Sequence, residues 1–175
     1  MKTLFGKNIY LRSLLESDVN DSYYSWMNDK IINAYMETRF THHSIDDIKK
    51  FVSNVNADCN SFIFAICDRA TDKHIGNIKL GPINSYHKKA DVSFFIGDME
   101  FWGRGLAKEA ISLVVHYGFN ELGLHKICAG VYDRNIGSLR ALEKVGFVIE
   151  GIKKAECFCD SSWVDVYILG LINDK

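Results

Sequence analysis

The sequence predicts a single domain of mixed α/β (α+β) class spanning residues 1–175. Three observations predict it. After a first alternating run, the hydrophobic period is helical over Ile45 to Val55 and changes to two at Phe62. Strands and helices then alternate, with a glycine-bearing turn between a strand and a helix at residues 101–107. No repeat, low-complexity stretch or linker divides the 175 residues, of which 47% are hydrophobic and 25% charged, enough to bury a substantial core.

The elements follow in order. Ile9 to Leu14 alternates and reads as a first strand. Ser17 or Asp18 then caps a helix carrying Val19, Tyr23, Trp26 and Met27, which Asn28-Asp29 breaks. A less regular segment covers Ile31 to Phe40. Ser44 caps a second helix, with Ile45, Ile48, Phe51, Val52 and Val55 at helical spacing. Three strands are expected at Phe62–Cys67, His74–Leu80 and Asp91–Ile96, the first two joined by a polar turn. After the glycine turn comes a helix with Leu106, Ala110, Leu113, Val114 and Tyr117 on one face, ended by Gly123. A strand over Lys126–Tyr132 precedes a helix capped by Asn135 and stopped by Gly146. Phe147–Ile152 and Val164–Ile172 read as the last two strands, with a turn at Asp160-Ser161-Ser162.

Composition narrows the functional classes. With 21 basic and 22 acidic residues, no basic footprint points to nucleic acid. No apolar run approaches the roughly 20 residues of a membrane span, and the first seven residues lack the long apolar core of a signal peptide. The five cysteines are odd in number and irregular in spacing, which argues against a disulfide framework. Cys157-x-Cys159 lacks a second Cys/His pair at ligand spacing, so no metal is expected. Free thiols in a reducing cytoplasm are the simplest reading.

The stretch Phe101-Trp102-Gly103-Arg104-Gly105-Leu106-Ala107 bears most directly on function. Two glycines around one basic residue let the backbone approach a phosphate. The N–H groups of the turn and the first helical turn then face the anion, assisted by the helix dipole. A lone Gly-x-Gly is a weak signal, so its meaning depends on its flanks.

Those flanks carry a resemblance. The glycine turn, the strand at 126–132 and the segment Asn135-Ile136-Gly137-Ser138 to Glu143-Lys144-Val145-Gly146-Phe147 occur in the order found in the GNAT acetyltransferase superfamily. The chain is most similar to its RimJ/RimL-like branch, over roughly residues 8–172. The resemblance implies a twisted mixed sheet splayed between its fourth and fifth strands, with acetyl-CoA as cosubstrate. It places Phe94, Phe95 and Ile96 along the pantetheine arm, a segment that can pair with a strand edge as an extra strand would. It places Trp102, Gly103, Arg104, Gly105, Leu106 and Ala107 at the pyrophosphate, and Asn135 and Ser138 near the acyl end. Many relatives begin the turn with Gln or Arg where this chain has Trp102, so backbone donors should carry the grip. Arg104 is either a phosphate contact or a solvated loop cation.

Acetyl transfer to an amine needs the ammonium deprotonated, the thioester carbonyl polarised and the leaving thiolate protonated. The family's usual acid is a Tyr on the helix after the Asn; Leu142-Glu143-Lys144 stands there, which excludes a Tyr acid at that position. The catalytic candidates are therefore Ser138, against a local backbone-bonding role, and Asp91 as a base acting through water, against a solvated strand-end acid. His87 is a further base to test. Tyr132 reads as a half-buried aromatic that could also face the cleft, and Cys128 as a buried thiol.

For the acceptor, the family's early helices roof the cleft. Trp26 and Tyr35 could stack on a ring and Arg39 pair a diphosphate, or Trp26 and Tyr35 belong to the core and Arg39 to a surface ion pair. Phe158 and Trp163 could form the opposite wall. The mix resembles members linked to surface-polysaccharide amino sugars. The expected activity is cytoplasmic N-acetylation of a small-molecule amine by direct transfer, with a nucleotide-linked amino sugar ahead of a polyamine or an aminoacyl group. The alternatives are a protein N-terminal α-amine acetyltransferase and a CoA-binding module without turnover. No nucleic acid or membrane partner is expected, and a homodimer is left open.

Overall fold

The computed structural model of the protein describes residues 2–174. Its centre is an eight-stranded sheet made of β1 (Leu4–Phe5), β2 (Ile9–Ser13), β3 (Phe62–Asp68), β4 (His74–Leu80), β5 (Lys89–Ile96), β6 (Lys126–Tyr132), β7 (Val148–Cys159) and β8 (Ser162–Ile172). The order across the sheet is β1-β2-β3-β4-β5-β6-β8-β7. Every neighbouring pair is antiparallel except β5 and β6, which run parallel. A parallel pair needs a crossover, and the helix α3 (Leu106–Asn120) supplies it.

Strand alternation sends residues to two cores. Phe64 and Ile66 of β3 join Ile78, Leu80, Ile127 and Leu169 beneath α3, where Ala110, Ile111 and Val114 are fully buried. Burying an Ile or Val side chain of this kind stabilises by about 1.5–3 kcal/mol. The intervening Ile63, Ala65 and Cys67 face the opposite side. There they meet Tyr23 and Trp26 of α1 (Asp21–Asn28) and Ile48 and Val52 of α2 (Ile45–Ala57). The fourth helix, α4 (Ile136–Glu143), buries Leu142 against the first core.

Several local expectations are refined. Asn20, not Ser17 or Asp18, caps α1, accepting from the Tyr23 N–H at 3.1 Å. Ser17 and Asp18 lie in a preceding 3₁₀ turn, and the Asp18 carboxylate takes a two-pronged contact from Arg12 at 2.7 and 2.8 Å. Ser44 does cap α2, in a reciprocal box with Asp47. The irregular segment before it ends in a 3₁₀ turn over Glu37–Phe40. The final hairpin is longer than its hydrophobic pattern implies. β7 reaches Cys159 through two register shifts, at Ile149/Gly151 and Lys153/Cys157, and the second breaks the period of two beyond Ile152. Asp160 and Ser161, at φ 49° and 61°, form its tight turn.

One topological detail positions the site. β5 and β6 pair only through Lys89–Asp91 and Lys126–Cys128. Beyond that point they diverge, with one strand more before them than the sequence counts, because β1 is a short edge strand that the sequence does not signal.

Candidate active site

The divergence opens a cavity of about 520 Å³. Val92–Phe95 of β5 and Ala129–Tyr132 of β6 line its two sides, and Asn135, Ser138 and Leu142 close one end. The loop after α1 and the 3₁₀ turn, Tyr35 to Thr38, roof it. Because β5 has no strand partner on its β6 side after Asp91, its backbone there is available to an extended ligand.

At the far end of β5 the glycine turn leads into α3. Gly103 and Gly105 have φ of 72° and 78°, and a Cβ on either would meet nothing within 4 Å. These glycines are therefore required by backbone conformation, and the space they border is open. Gly105 is the helix N-cap and offers no side-chain cap to Leu106 and Ala107, so the first-turn N–H groups are presented to an anion. Trp102 contributes structurally: its indole N–H donates to the Ile96 carbonyl at 2.8 Å and ties the turn to the end of β5. Arg104 is exposed, with its guanidinium 4.9 Å from the centre of the Phe101 ring.

At the end of the cavity where the resemblance places the acyl group, Asn135 caps α4 by accepting from the Ser138 N–H at 3.3 Å. Ser138 lines the cavity, and among the described residues no hydrogen bond engages its hydroxyl. Leu142 is fully buried where a tyrosine acid would stand. Burial pushes the Cys128 thiol up, with smaller contributions from surrounding charges, which keeps it protonated. Among the described residues no three His, Cys, Asp or Glu side chains converge as a metal ion would require.

The structure corrects part of the expected acceptor site. Trp26 is only 7% exposed and packs against Tyr23, His74 and Phe95; it does not line the cavity. Its ring fills the space over Gly97, where a Cβ would come within 2.1 Å of it. Tyr35 does line the cavity, edge-on to the Tyr132 ring. Arg39 donates to the Met36 carbonyl at 2.7 Å, the Tyr132 hydroxyl at 3.1 Å and the Phe158 carbonyl at 2.9 Å. It is a brace between roof and final hairpin, already committed to three oxygens. Phe158 and Trp163 meet edge-to-face outside the cavity. Asp91 is exposed at the last paired position of β5, opposite Cys128, and is not among the lining residues; His87, also exposed, precedes it. Ile96 pairs with Gly76 and lies just beyond the lining segment.

Four polar lining groups carry no signal that the sequence reading used. Glu37 of the roof accepts a hydrogen bond from the Tyr132 hydroxyl. Burial first, and then this bond, hold the Tyr132 phenol well above its ordinary range, so it stays protonated. Asn77 and Lys79 of β4 and Ser93 of β5 lie on the floor. Asn77 and Lys79 occupy a strand with neighbours on both sides, where polar residues stand out.

The Acetyltransferase (GNAT) domain family matches residues 8–148. The chain belongs to the GNAT acetyltransferase family. It is an acetyl-CoA-dependent N-acetyltransferase, and the splayed strands, glycine cradle and uncapped helix fit that cosubstrate. YjcK of Bacillus subtilis (strain 168), a probable N-acetyltransferase, is 32% identical over 97% of each chain. A spermidine N-acetyltransferase from Vibrio cholerae, crystallised with CoA and spermine, superposes with a TM-score of 0.86 at 27% identity. That superposition covers 97% of this chain and 98% of the other. A ribosomal-protein-S5-alanine acetyltransferase from Vibrio fischeri shares the fold, with a TM-score of 0.83 at 21% identity over 100% and 98% of the chains. Among proteins that share this fold, the named acceptors thus range from a polyamine to a ribosomal protein.

Proposed function

We propose that this GNAT enzyme acetylates the primary amine of a small molecule by direct transfer, within one domain and in a reducing, cytoplasmic setting. The supporting observation is the covered cavity: a space of about 520 Å³, which the pantetheine end of the cosubstrate would share with the acceptor, roofed by the Tyr35–Thr38 segment that Arg39 braces to β6 and to the final hairpin. Pockets of this volume suit small ligands. A protein N-terminus would have to thread beneath the same roof, which makes that acceptor the second reading.

The residues divide the work. The Gly103–Ala107 turn holds the pyrophosphate through backbone N–H groups, and the free edge of β5 pairs with the pantetheine amides. Acetyl-CoA supplies the activated acetyl group as a thioester. Glu37, rather than Asp91, is the carboxylate placed to accept the ammonium proton, directly or through water. The Ser138 hydroxyl serves the departing thiolate. Cys128, half-buried and held protonated, is no nucleophile, so no acetyl-enzyme is formed. A nucleotide-linked acceptor loses its expected support, because Arg39 is engaged and Trp26 is buried. Amino sugars as a class remain compatible with the cavity.

Release of free CoA thiol, followed with amino sugars, amino acids, polyamines and N-terminal peptides, tests the reading. Small amines should outpace peptides. Peptides as the best acceptors would favour the second reading, and CoA binding without turnover on any amine would leave a binding module.

A further inference from the structure

The cavity floor carries an arrangement that the reaction itself does not need. Among the residues that line it, Glu37 is the one carboxylate and Lys79 the one ammonium. They come from opposite sides, Glu37 from the roof turn and Lys79 from β4. Lys79 has no carboxylate within ion-pair distance among the described residues. Its charge is felt by Asp58, whose carboxyl is held below its usual range mainly by the Asn60 N–H and Ser61, with Lys79 a lesser cause.

Lys79 does not act alone. Asn77 lies two residues before it on the same strand face, and Ser93 is its register partner across β5. The Asn77 carbonyl oxygen accepts from His74 Nε2 at 2.8 Å, a nitrogen that also faces the Gly76 carbonyl at 3.0 Å. That fixes the Asn77 amide nitrogen as the outward end. Asn77 is 4% exposed, and its amide nitrogen has no hydrogen-bond partner within the chain. The nearby Tyr23 phenol, pushed up mainly by burial, feels the Asn77 side chain as an opposing hydrogen-bonding neighbour, but the Asn77 amide nitrogen meets the distance and angle of a full hydrogen bond with no group of the chain. A buried donor is rarely left unmatched in a native fold, and this one lines a ligand cavity.

We infer that the floor formed by Lys79, Asn77 and Ser93 receives an anionic group carried by the acceptor itself, so the substrate is an amine that also bears a carboxylate or a phosphate. This rests on the small-molecule reading above and adds the charge of the molecule. Two polar ends of opposite character give such a substrate one orientation: its amine towards Glu37, its anion towards Lys79. A polyamine meets the reverse condition. Its second ammonium would approach the Lys79 ammonium with no second lining carboxylate to receive it. The acceptor named for the Vibrio cholerae relative is thus disfavoured here.

Matched acceptors test the inference: glucosamine against glucosamine 6-phosphate, an amino acid against its amide, and spermidine. The anion-bearing member of one or both pairs should have the higher kcat/KM, by about tenfold or more, and spermidine should be the poorest. Whether the phosphate or the carboxylate pair shows the larger gap identifies the anion. Lys79→Met should collapse the ratio within the pair towards one, while Lys79→Arg should keep it. Equilibrium binding of the same compounds to the protein–CoA complex reads charge preference without turnover. Anion-selective binding without acetylation would sustain the inference and sink the enzymatic reading. Spermidine as the best acceptor, or a pair ratio that Lys79→Met leaves intact, would overturn the inference.

Discussion

The Tyr132 hydroxyl, at the exit of β6, donates to the Glu37 carboxylate in the roof turn and accepts from Arg39 at 3.1 Å. One phenol therefore ties the splayed strand to the segment that covers the cavity. Tyr132→Phe keeps the ring and removes both bonds. Hydrogen bonds to charged groups contribute about 1.5–3 kcal/mol, so acceptor kcat/KM should fall about 10- to 100-fold. The KM for acetyl-CoA should move little, because neither bond reaches the glycine turn. Steady-state kinetics with each substrate varied separately checks this, and a loss confined to acetyl-CoA binding would contradict it.

The glycine turn makes the complementary prediction. Gly103 and Gly105 hold φ of 72° and 78°, where a Cβ costs about 1–2 kcal/mol. Alanine at either position should distort the cradle, and the distortion should appear mainly as a raised KM for acetyl-CoA, about 5- to 30-fold. Since the added methyl meets no atom within 4 Å, folding should survive. Calorimetric titration with CoA separates the two effects. Unchanged CoA affinity in both variants would mean that the turn is not the anion site.

How much of this was legible in the sequence differs by residue. The glycine turn was readable because backbone conformation restricts residue choice there, and Asn135 because helix caps are local. Ser138 followed from the family resemblance. Trp26 and Tyr35 were not separable: both are aromatics in apolar segments, and only packing against Gly97 and His74 shows that Trp26 belongs to the core. Glu37 sits in an irregular segment without a period to read. Lys79 and Asn77 look like the wet face of an ordinary alternating strand. That their face is the floor of a cavity depends on α1, α2 and the splay of β5 from β6, which no local pattern encodes.

The sequence offers Ser138 as a contact for the leaving thiolate and Asp91 as a base acting through water, and the structure treats the two differently. Asp91 is exposed where pairing ends and outside the cavity; Ser138 lines it with an unengaged hydroxyl. Asp91→Asn should leave kcat within about twofold and its pH profile unshifted, as expected of an exposed surface substitution. Ser138→Ala should lower kcat by about tenfold, the effect of losing roughly one hydrogen bond to a developing charge. Equal effects from both substitutions would return Asp91 to the mechanism.

His74 sets a pH dependence of stability distinct from that of catalysis. It is half-buried between Tyr23 and Trp26 and bonded to Asn77, and burial above all lowers its pKa from the usual 6.5, against opposing help from Asn77 and Asp18. The folded protein therefore prefers neutral imidazole. The unfolded chain binds one proton more wherever pH lies below about 6.5 and above the lowered folded value. The stability it contributes is complete above pH 6.5 and is lost as pH falls through that window, by at most about 1.4 kcal/mol per pH unit for a single proton. The Asp18 and Glu109 carboxyls, also lowered, act only near and below their usual values of 3.8 and 4.5, outside this window. Denaturant titrations between pH 8 and pH 5 should thus show a decline beginning near 6.5. His74→Gln, which keeps a hydrogen-bonding side chain but cannot titrate, should be less stable at pH 8 and flatter below it. An undiminished slope in that variant would place the protonation elsewhere.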